Sequence, residues 1–209
     1  MQLRSFGRCL CLIAGLVQSG VLLAQTNSVT RTVGNLTITI TDLGLLPGGQ
    51  SSSARAINNF SQIVGMASDA SFQNTRVIWE NGIITSTLPN FDPSSTAVPE
   101  SINNSRQVSG TEYIKSSSPS YGVYWDATGT VFGLPPIPGG PPYLVRAHRL
   151  NNSGQIAGMS QEGTAAAYAH AVIWQGNTLL RDLGFMGLGK YSEAYDTNDL
   201  GEVAGIASN

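Results

Sequence analysis

The chain has 209 residues, of which 24 are glycine and only 11% are charged, and its formal net charge at pH 7 is −2. Because no basic cluster occurs, the composition excludes an extended surface for nucleic acid or for an anionic membrane. Both cysteines, Cys9 and Cys11, lie near the N-terminus, so the rest of the chain has neither disulfides nor thiolate metal ligands.

The first 24 residues have the pattern of a signal peptide. Arg4 and Arg8 give a basic start, residues 9–23 are mostly apolar, and Ala24 ends a suitable cleavage site. The apolar run is shorter than the roughly 20 residues that a membrane-spanning helix needs. We therefore expect cleavage after Ala24, a mature chain with no stable membrane span, and a secreted, periplasmic or cell-surface location. Loss of Arg4 and Arg8 leaves 9 basic and 13 acidic residues, a net charge of −4.

Beyond the signal segment, one phrase recurs four times. Each copy begins with an asparagine, continues through a polar turn and closes on a glycine. Successive leading asparagines are 45, 48 and 47 residues apart, which indicates an array of supersecondary units. The leading asparagines are Asn58, Asn103, Asn151 and Asn198, and the closing glycines are Gly65, Gly110, Gly158 and Gly205. We interpret both sets as structural, the asparagines as hairpin corners and the glycines as places where backbones approach closely.

Each repeat is predicted to contain four short strands. In the first repeat they cover residues 54–58, 62–67, 76–79 and 83–88, separated by turns rich in Asn, Gly and Ser. A tryptophan marks the third strand, 21 to 23 residues after the leading asparagine. A Trp that returns at one phase is interpreted as a core residue that buries on the order of 200 Å². These residues are Trp79, Trp125 and Trp174.

The size of the repeat predicts the fold class. A four-stranded unit of about 47 residues is the size of a propeller blade, whereas a solenoid coil is about half as long. We therefore predict an all-β fold, a β-propeller-like array of four-stranded repeats, in one domain over residues 25–209. The repeats lie near residues 43–88, 89–134, 135–183 and 184–209, and the last of them is incomplete.

Several phrases resemble the HAF family of extracellular repeats, and the resemblance covers about residues 40–209. It implies a secreted or surface bacterial protein with a propeller-like fold and no established catalytic residue. The middle repeats depart from the family pattern, because they have Thr87-Leu88-Pro89 and Gly133-Leu134-Pro135 in place of Asp-Leu-Gly. The matching phrases are Asp42-Leu43-Gly44, Gly48-Gly49, Ala56-Ile57-Asn58, Gln62-Ile63-Val64-Gly65, His170-Ala171-Val172-Ile173-Trp174 and Asp182-Leu183-Gly184.

The fourth repeat stops after its second strand, before a third strand with its Trp. Residues 36–42 resemble the fourth strand at 178–182, so we expect this segment to complete the last repeat, which would then have three strands. The alternative is that the chain is a truncated piece of a longer array. An open strand edge in the last repeat predicts self-association through that edge.

No nucleophile elbow, metal-binding histidine pair or phosphate-binding loop occurs, so we assign no catalytic, cofactor-binding or metal residue. We expect a non-catalytic binding or scaffold module at the bacterial cell exterior, with a glycan or a protein as its ligand. The alternatives are a hydrolase or lyase acting on extracellular polysaccharide, and a remnant of a longer repeat protein. Candidate ligand-loop residues are Tyr121, Tyr143, His148 and His170. Candidate acids for the enzymatic alternative are Asp92, Glu100, Asp126 and Glu162.

Overall fold

The computed structural model describes residues 28–114, 120–163 and 168–208, so the predicted signal peptide lies outside the described residues. Within these three ranges the chain forms sixteen β-strands and no helix, and every sheet is antiparallel. The all-β prediction is therefore confirmed. The same ranges contain no helix long and apolar enough to cross a membrane.

Three four-stranded sheets follow one another, and in each the strands pair in sequence order. Sheet I contains β3 (Ser52–Ile57), β4 (Ile63–Ser68), β5 (Asn74–Glu80) and β6 (Ile83–Leu88). Sheet II contains β7 (Ser95–Ile102), β8 (Val108–Ile114), β9 (Ser120–Trp125) and β10 (Val131–Gly133). Sheet III contains β11 (Val145–Leu150), β12 (Gln155–Gln161), β13 (Ala169–Gln175) and β14 (Thr178–Gly184). Sheet IV has only β15 (Ser192–Thr197) and β16 (Val203–Ala207), and β1 (Ser28–Val33) pairs with β2 (Leu36–Thr41).

The core lies between successive sheets. The third strands of sheets I to III are buried along most of their length. The cluster between sheets I and II includes Val64, Ile78, Leu88, Val123 and Trp125. The cluster between sheets II and III includes Tyr124, Leu134, Ile156, Val172 and Trp174. A smaller cluster of Ala157, Ile173 and Ala194 joins sheet III to β15.

Each first strand ends in a corner headed by the repeating asparagine. In sheet II, Asn103 Oδ1 accepts hydrogen bonds from the backbone N–H groups of Ser105 and Gln107, both at 3.0 Å. Asn103 Nδ2 donates to Gln107 Oε1 at 2.7 Å. The left-handed residue is the third after the asparagine, Arg106 in this corner with φ 62°. The asparagine side chain thus closes the turn, while a later residue makes the tight bend.

The same asparagines connect neighbouring repeats. The Nδ2 groups of Asn58, Asn103 and Asn151 donate to the backbone carbonyls of Asn103, Asn151 and Asn198, at 2.8, 3.1 and 2.7 Å. One residue further on, the N–H groups of Asn59, Asn104 and Asn152 donate to the side chains of Asn104, Asn152 and Asp199. The repeating asparagine therefore holds both its own corner and the one that follows.

The repeating glycine of the second strand faces the backbone of the first strand. A Cβ atom placed on Gly158 would lie 2.1 Å from the carbonyl oxygen of Arg146 and 2.7 Å from the ring of Trp174. The other three glycines meet the same obstacle, with a first-strand carbonyl oxygen at 2.1 to 2.4 Å. No side chain fits at this position, which gives a steric reason for the recurrence of glycine.

The three tryptophans are fully buried but differ in hydrogen bonding. Trp125 Nε1 donates to the carbonyl of Pro89 at 2.9 Å, and Trp174 Nε1 donates to that of Pro135 at 2.8 Å. Among the described residues, Trp79 Nε1 is buried without an acceptor. The indole N–H is thus satisfied in two repeats and unsatisfied in the first.

We expect Trp125→Phe to lower the free energy of unfolding by about 1 kcal/mol more than Trp79→Phe. Both changes reduce apolar contact similarly, but only the first breaks a hydrogen bond and leaves the Pro89 carbonyl without its donor. Urea unfolding followed by circular dichroism measures both losses. Equal losses would contradict the difference in hydrogen bonding.

The segment at residues 36–42 does not complete the last repeat. Its strand β2 pairs with β1 along all six residues, both strands are exposed, and sheet IV contains only β15 and β16. The expectation from its resemblance to residues 178–182 is therefore wrong in this structure. The local partner β1 lies across a two-residue turn, and closing so short a loop costs less chain entropy than reaching β16.

Candidate functional site

An irregularity in pairing interrupts every first strand just after the residue that faces the repeating glycine. Such bulges turn a side chain away from the regular alternation of the strand, and they are common beside functional sites. The residue at this point lies three positions before the repeating asparagine, is at least partly exposed, and differs in every repeat. These four bulge residues are Arg55, Glu100, His148 and Tyr195.

The bulge residues belong to strands that lie side by side. The first strands β3, β7, β11 and β15 contact one another in that order. The corners at their ends line one common cavity of about 300 Å³, to which residues 57–59, 102–104, 150–152 and 197–199 contribute. The structure therefore places the same position of all four repeats on adjacent strands. We call these four residues, Arg55, Glu100, His148 and Tyr195, the bulge row.

A polar cluster occupies this row where β11 meets β15. His148 Nε2 lies 2.8 Å from Glu193 Oε1, and the hydroxyl of Tyr191 donates to the other carboxylate oxygen of Glu193. The ring of Tyr195 meets the ring of His148 edge to face, with centroids 5.4 Å apart. Glu193 is only 4% exposed, whereas Tyr195 is 42% exposed. The cluster thus joins a buried carboxylate to an accessible aromatic face.

The surroundings of Glu193 favour its ionised form. Burial by itself raises the pKa of this carboxyl, but hydrogen bonds from His148 and Tyr191, with the nearby charge of Arg146, outweigh burial and lower the pKa. Burial and the adjacent Glu193 carboxylate raise the pKa of the Tyr191 hydroxyl to about 12. At neutral pH the pair therefore consists of a carboxylate and a protonated phenol.

We expect Glu193 to make the stability of the protein depend on pH. Because its pKa is lower in the folded state than in the unfolded chain, its contribution is present above about pH 4.3. This contribution is lost as the pH falls through the folded-state value. Thermal melts should show the wild type losing more stability on acidification than Glu193→Gln. Glu202→Gln, at an exposed site, serves as the control and should follow the wild type; a Glu193→Gln profile parallel to it would contradict the prediction.

A second histidine connects the third and fourth strands of sheet III, β13 and β14. His170 Nδ1 lies 2.8 Å from both carboxylate oxygens of Asp182, and its ring packs edge to face on Phe185 with centroids 4.2 Å apart. Its Nε2 lies 3.6 Å from a carboxylate oxygen of Glu162. In the part of the chain that the structure describes, no group of three His, Cys, Asp or Glu side chains could hold a metal ion.

The other predicted ligand residues lie apart from the bulge row. Tyr121 is partly buried on β9 and packs edge to face on Phe91, with centroids 6.0 Å apart. Tyr143 lies in the loop before β11 and is 39% exposed. His170 lies on β13, the third strand of its sheet, and not on a first strand. Of the four candidates, only His148 is a bulge residue.

The four candidate acids have separate surroundings. Asp92 and Asp126 accept hydrogen bonds within their own turns, which lowers the pKa of each carboxyl. Glu162 lies near His170, and only Glu100 belongs to the bulge row. The acidic pair that the enzymatic alternative requires is therefore not assembled from these residues.

One further buried acid serves the fold. Glu112 on β8 is fully buried and accepts hydrogen bonds from the N–H groups of Phe91 and Asp92, at 3.1 and 3.3 Å, and from the hydroxyl of Ser95. Burial raises the pKa of this carboxyl, against the effect of its hydrogen bonds. These hydrogen bonds hold in place the loop before β7, the first strand of sheet II.

Sequence reasoning missed Tyr191, Glu193 and Tyr195, and it treated Glu100 only as an acid. A signal was present at the third position before each repeating asparagine, where the residue type changes in every copy.

No protein-family model, curated protein or solved structure matches the chain. The geometry of the bulge row therefore carries the argument about function.

Proposed function

We propose that this chain is a secreted, non-catalytic repeat protein of the HAF type that binds an extracellular ligand at the bacterial cell exterior. In this proposal the sheets are propeller blades. The arrangement is supported by four-stranded meanders that pack face to face in chain order, with adjacent first strands and corners around one cavity.

The observation that carries the proposal is the contrast between constant and variable positions. The repeating asparagines, glycines and tryptophans are engaged in holding the strands together. The bulge residues, by contrast, change from copy to copy and are accessible. Repeat proteins bind ligands through variable side chains on a constant frame. The bulge row is therefore the proposed ligand surface.

A glycan is the ligand class that best suits this surface. The accessible ring of Tyr195 gives an apolar face, and the ring of His148 lies beside it. Sugar rings pack against aromatic faces of this kind, while their hydroxyl groups bond to charged side chains. Arg146, exposed on the same strand as His148, and the bulge residues Arg55 and Glu100 supply such groups.

We expect Tyr195→Ala to weaken binding to an extracellular polysaccharide at least tenfold. The melting temperature should not change, because the ring is exposed and its loss removes little packing from the core. Affinity electrophoresis against a panel of acidic and neutral polysaccharides measures the effect. Tyr143→Ala is the matched control, since this ring is similarly exposed but lies outside the bulge row.

Two results would redirect the proposal. Release of reducing ends that Glu193→Gln abolishes would show an enzyme acting on polysaccharide. Absence of polysaccharide binding, together with Tyr195-dependent binding to a surface protein, would replace the glycan by a protein ligand.

A further inference from the structure

A cavity of about 320 Å³ separates sheet III from the short sheet IV. Its apolar lining includes Ile173 from β13, Leu183 from β14 and Val203 from β16. Leu183 and Val203 are 41% and 38% exposed, so the cavity is open to solvent. Apolar side chains that are accessible between two packed sheets mark a binding surface.

The preceding interface shows what fills such a cavity. Tyr124, Leu134 and Ile156 occupy the repeat positions of Ile173, Leu183 and Val203, and they are at most 6% exposed. All three belong to the same core cluster as Trp174. In sheet III the cluster is therefore completed by the tryptophan of the third strand, and sheet IV has no third strand among the described residues.

The backbone next to this cavity is also unpaired. Strand β12 pairs with β11 on one side and β13 on the other. Among the strands that the structure describes, β16 pairs only with β15, and it is exposed along its length. In sheet III, Ile156 is the partner of Trp174 and Gly158 is the partner of Val172. A strand added to β16 in the same register would place its tryptophan opposite Val203, over the cavity.

The hairpin of β1 and β2, at the start of the described chain, does not supply a strand with a tryptophan at this position. Its turn, Gly34-Asn35, matches Gly176-Asn177 between β13 and β14, with positive φ at the glycine in both. The position before the last residue of the strand is Trp174 in β13 but Thr32 in β1. A threonine is too small to fill a space that an indole occupies elsewhere.

We propose that the edge of β16 binds an extended strand of the β13 type, which carries a tryptophan at the position equivalent to Trp174. The strand adds antiparallel to β16 and its indole enters the cavity between sheets III and IV. Backbone hydrogen bonds supply affinity in this mode of recognition, and the side-chain pocket supplies selectivity. The inference is independent of the ligand proposed for the bulge row.

A peptide with the sequence of residues 169–177, Ala-His-Ala-Val-Ile-Trp-Gln-Gly-Asn, tests the proposal against the full chain. Its tryptophan is replaced by 5-fluorotryptophan, so that the ¹⁹F resonance reports on the peptide alone. We expect saturable binding with a resonance shift from the solvent-exposed to the buried range. The same peptide with Trp→Ala should bind at least tenfold more weakly, as followed by titration calorimetry.

Variants of the chain locate the site. Val203→Asp and Leu183→Asp place a charge in the cavity at exposed positions, and each should abolish the ¹⁹F shift while retaining a cooperative melt. Ile206→Asp is the matched control, because this residue lies on the opposite face of β16 and is 48% exposed. Failure of the peptide to bind, equal binding of the Trp→Ala peptide, or unchanged binding to both cavity variants would overturn the proposal.

Discussion

Replacement of Asn103 by alanine is expected to lower the free energy of unfolding by about 3 kcal/mol. The side chain is 3% exposed and makes two bonds within its corner through Oδ1. It makes two more through Nδ2, one of them to the carbonyl of Asn151. The change leaves several buried backbone groups without partners, and each such group costs about 1 to 3 kcal/mol. Urea unfolding of the full chain measures the loss.

Asn198→Ala is the matched control for this prediction. Asn198 closes its corner in the same way, through bonds from Leu200 and Glu202, but it is exposed. We expect a loss of about 1 kcal/mol, because water replaces the missing partners. A loss equal to that of Asn103→Ala would show that burial and the bond to the next repeat contribute nothing.

Gly158→Ala is expected to destabilise the protein by about 3 kcal/mol or more, or to prevent folding. The added methyl group would lie 2.1 Å from the carbonyl oxygen of Arg146, a backbone atom that can move only if β11 separates from β12. It would also press on the buried ring of Trp174 at 2.7 Å. Thermal melting and the yield of soluble protein measure the effect.

Gly122→Ala tests whether the position or merely the residue type matters. An added methyl group at Gly122 on β9 meets side-chain atoms, Val145 Cγ1 at 2.8 Å and Leu134 Cδ1 at 3.2 Å. Because side chains can adjust more easily than a backbone carbonyl, we expect a loss of about 1 kcal/mol. If both substitutions were equally harmful, the close approach of β11 to β12 would not be the reason for the repeating glycine.

These residues explain how one frame carries a variable surface. Asn103 fixes a corner, and Gly158 lets β11 and β12 approach beside the pairing irregularity that contains His148. The bulge residue that follows can differ between repeats, because its side chain is at least partly exposed and the corner does not require it. The proposed ligand surface depends on this division of roles.

The repeat period, the four-strand unit and the all-β class were readable from the sequence alone. They arise from local causes, because short apolar runs favour strands, and Asn, Gly and Ser favour turns between them. The residues of each repeat are therefore sufficient to predict its strands and turns. The recurrence of Trp125 and its equivalents at one phase of the repeat likewise indicated that these rings belong to the core.

Tertiary structure alone decided the pairing of β2 and the contacts that the bulge residues make. Residues 36–42 have the pattern of a fourth strand, but pattern does not choose between a local partner and a distant one. His148 and Glu193 meet from 45 residues apart because β11 and β15 lie side by side. Such contacts depend on how one repeat packs against the next, and a local pattern of residues does not determine that packing.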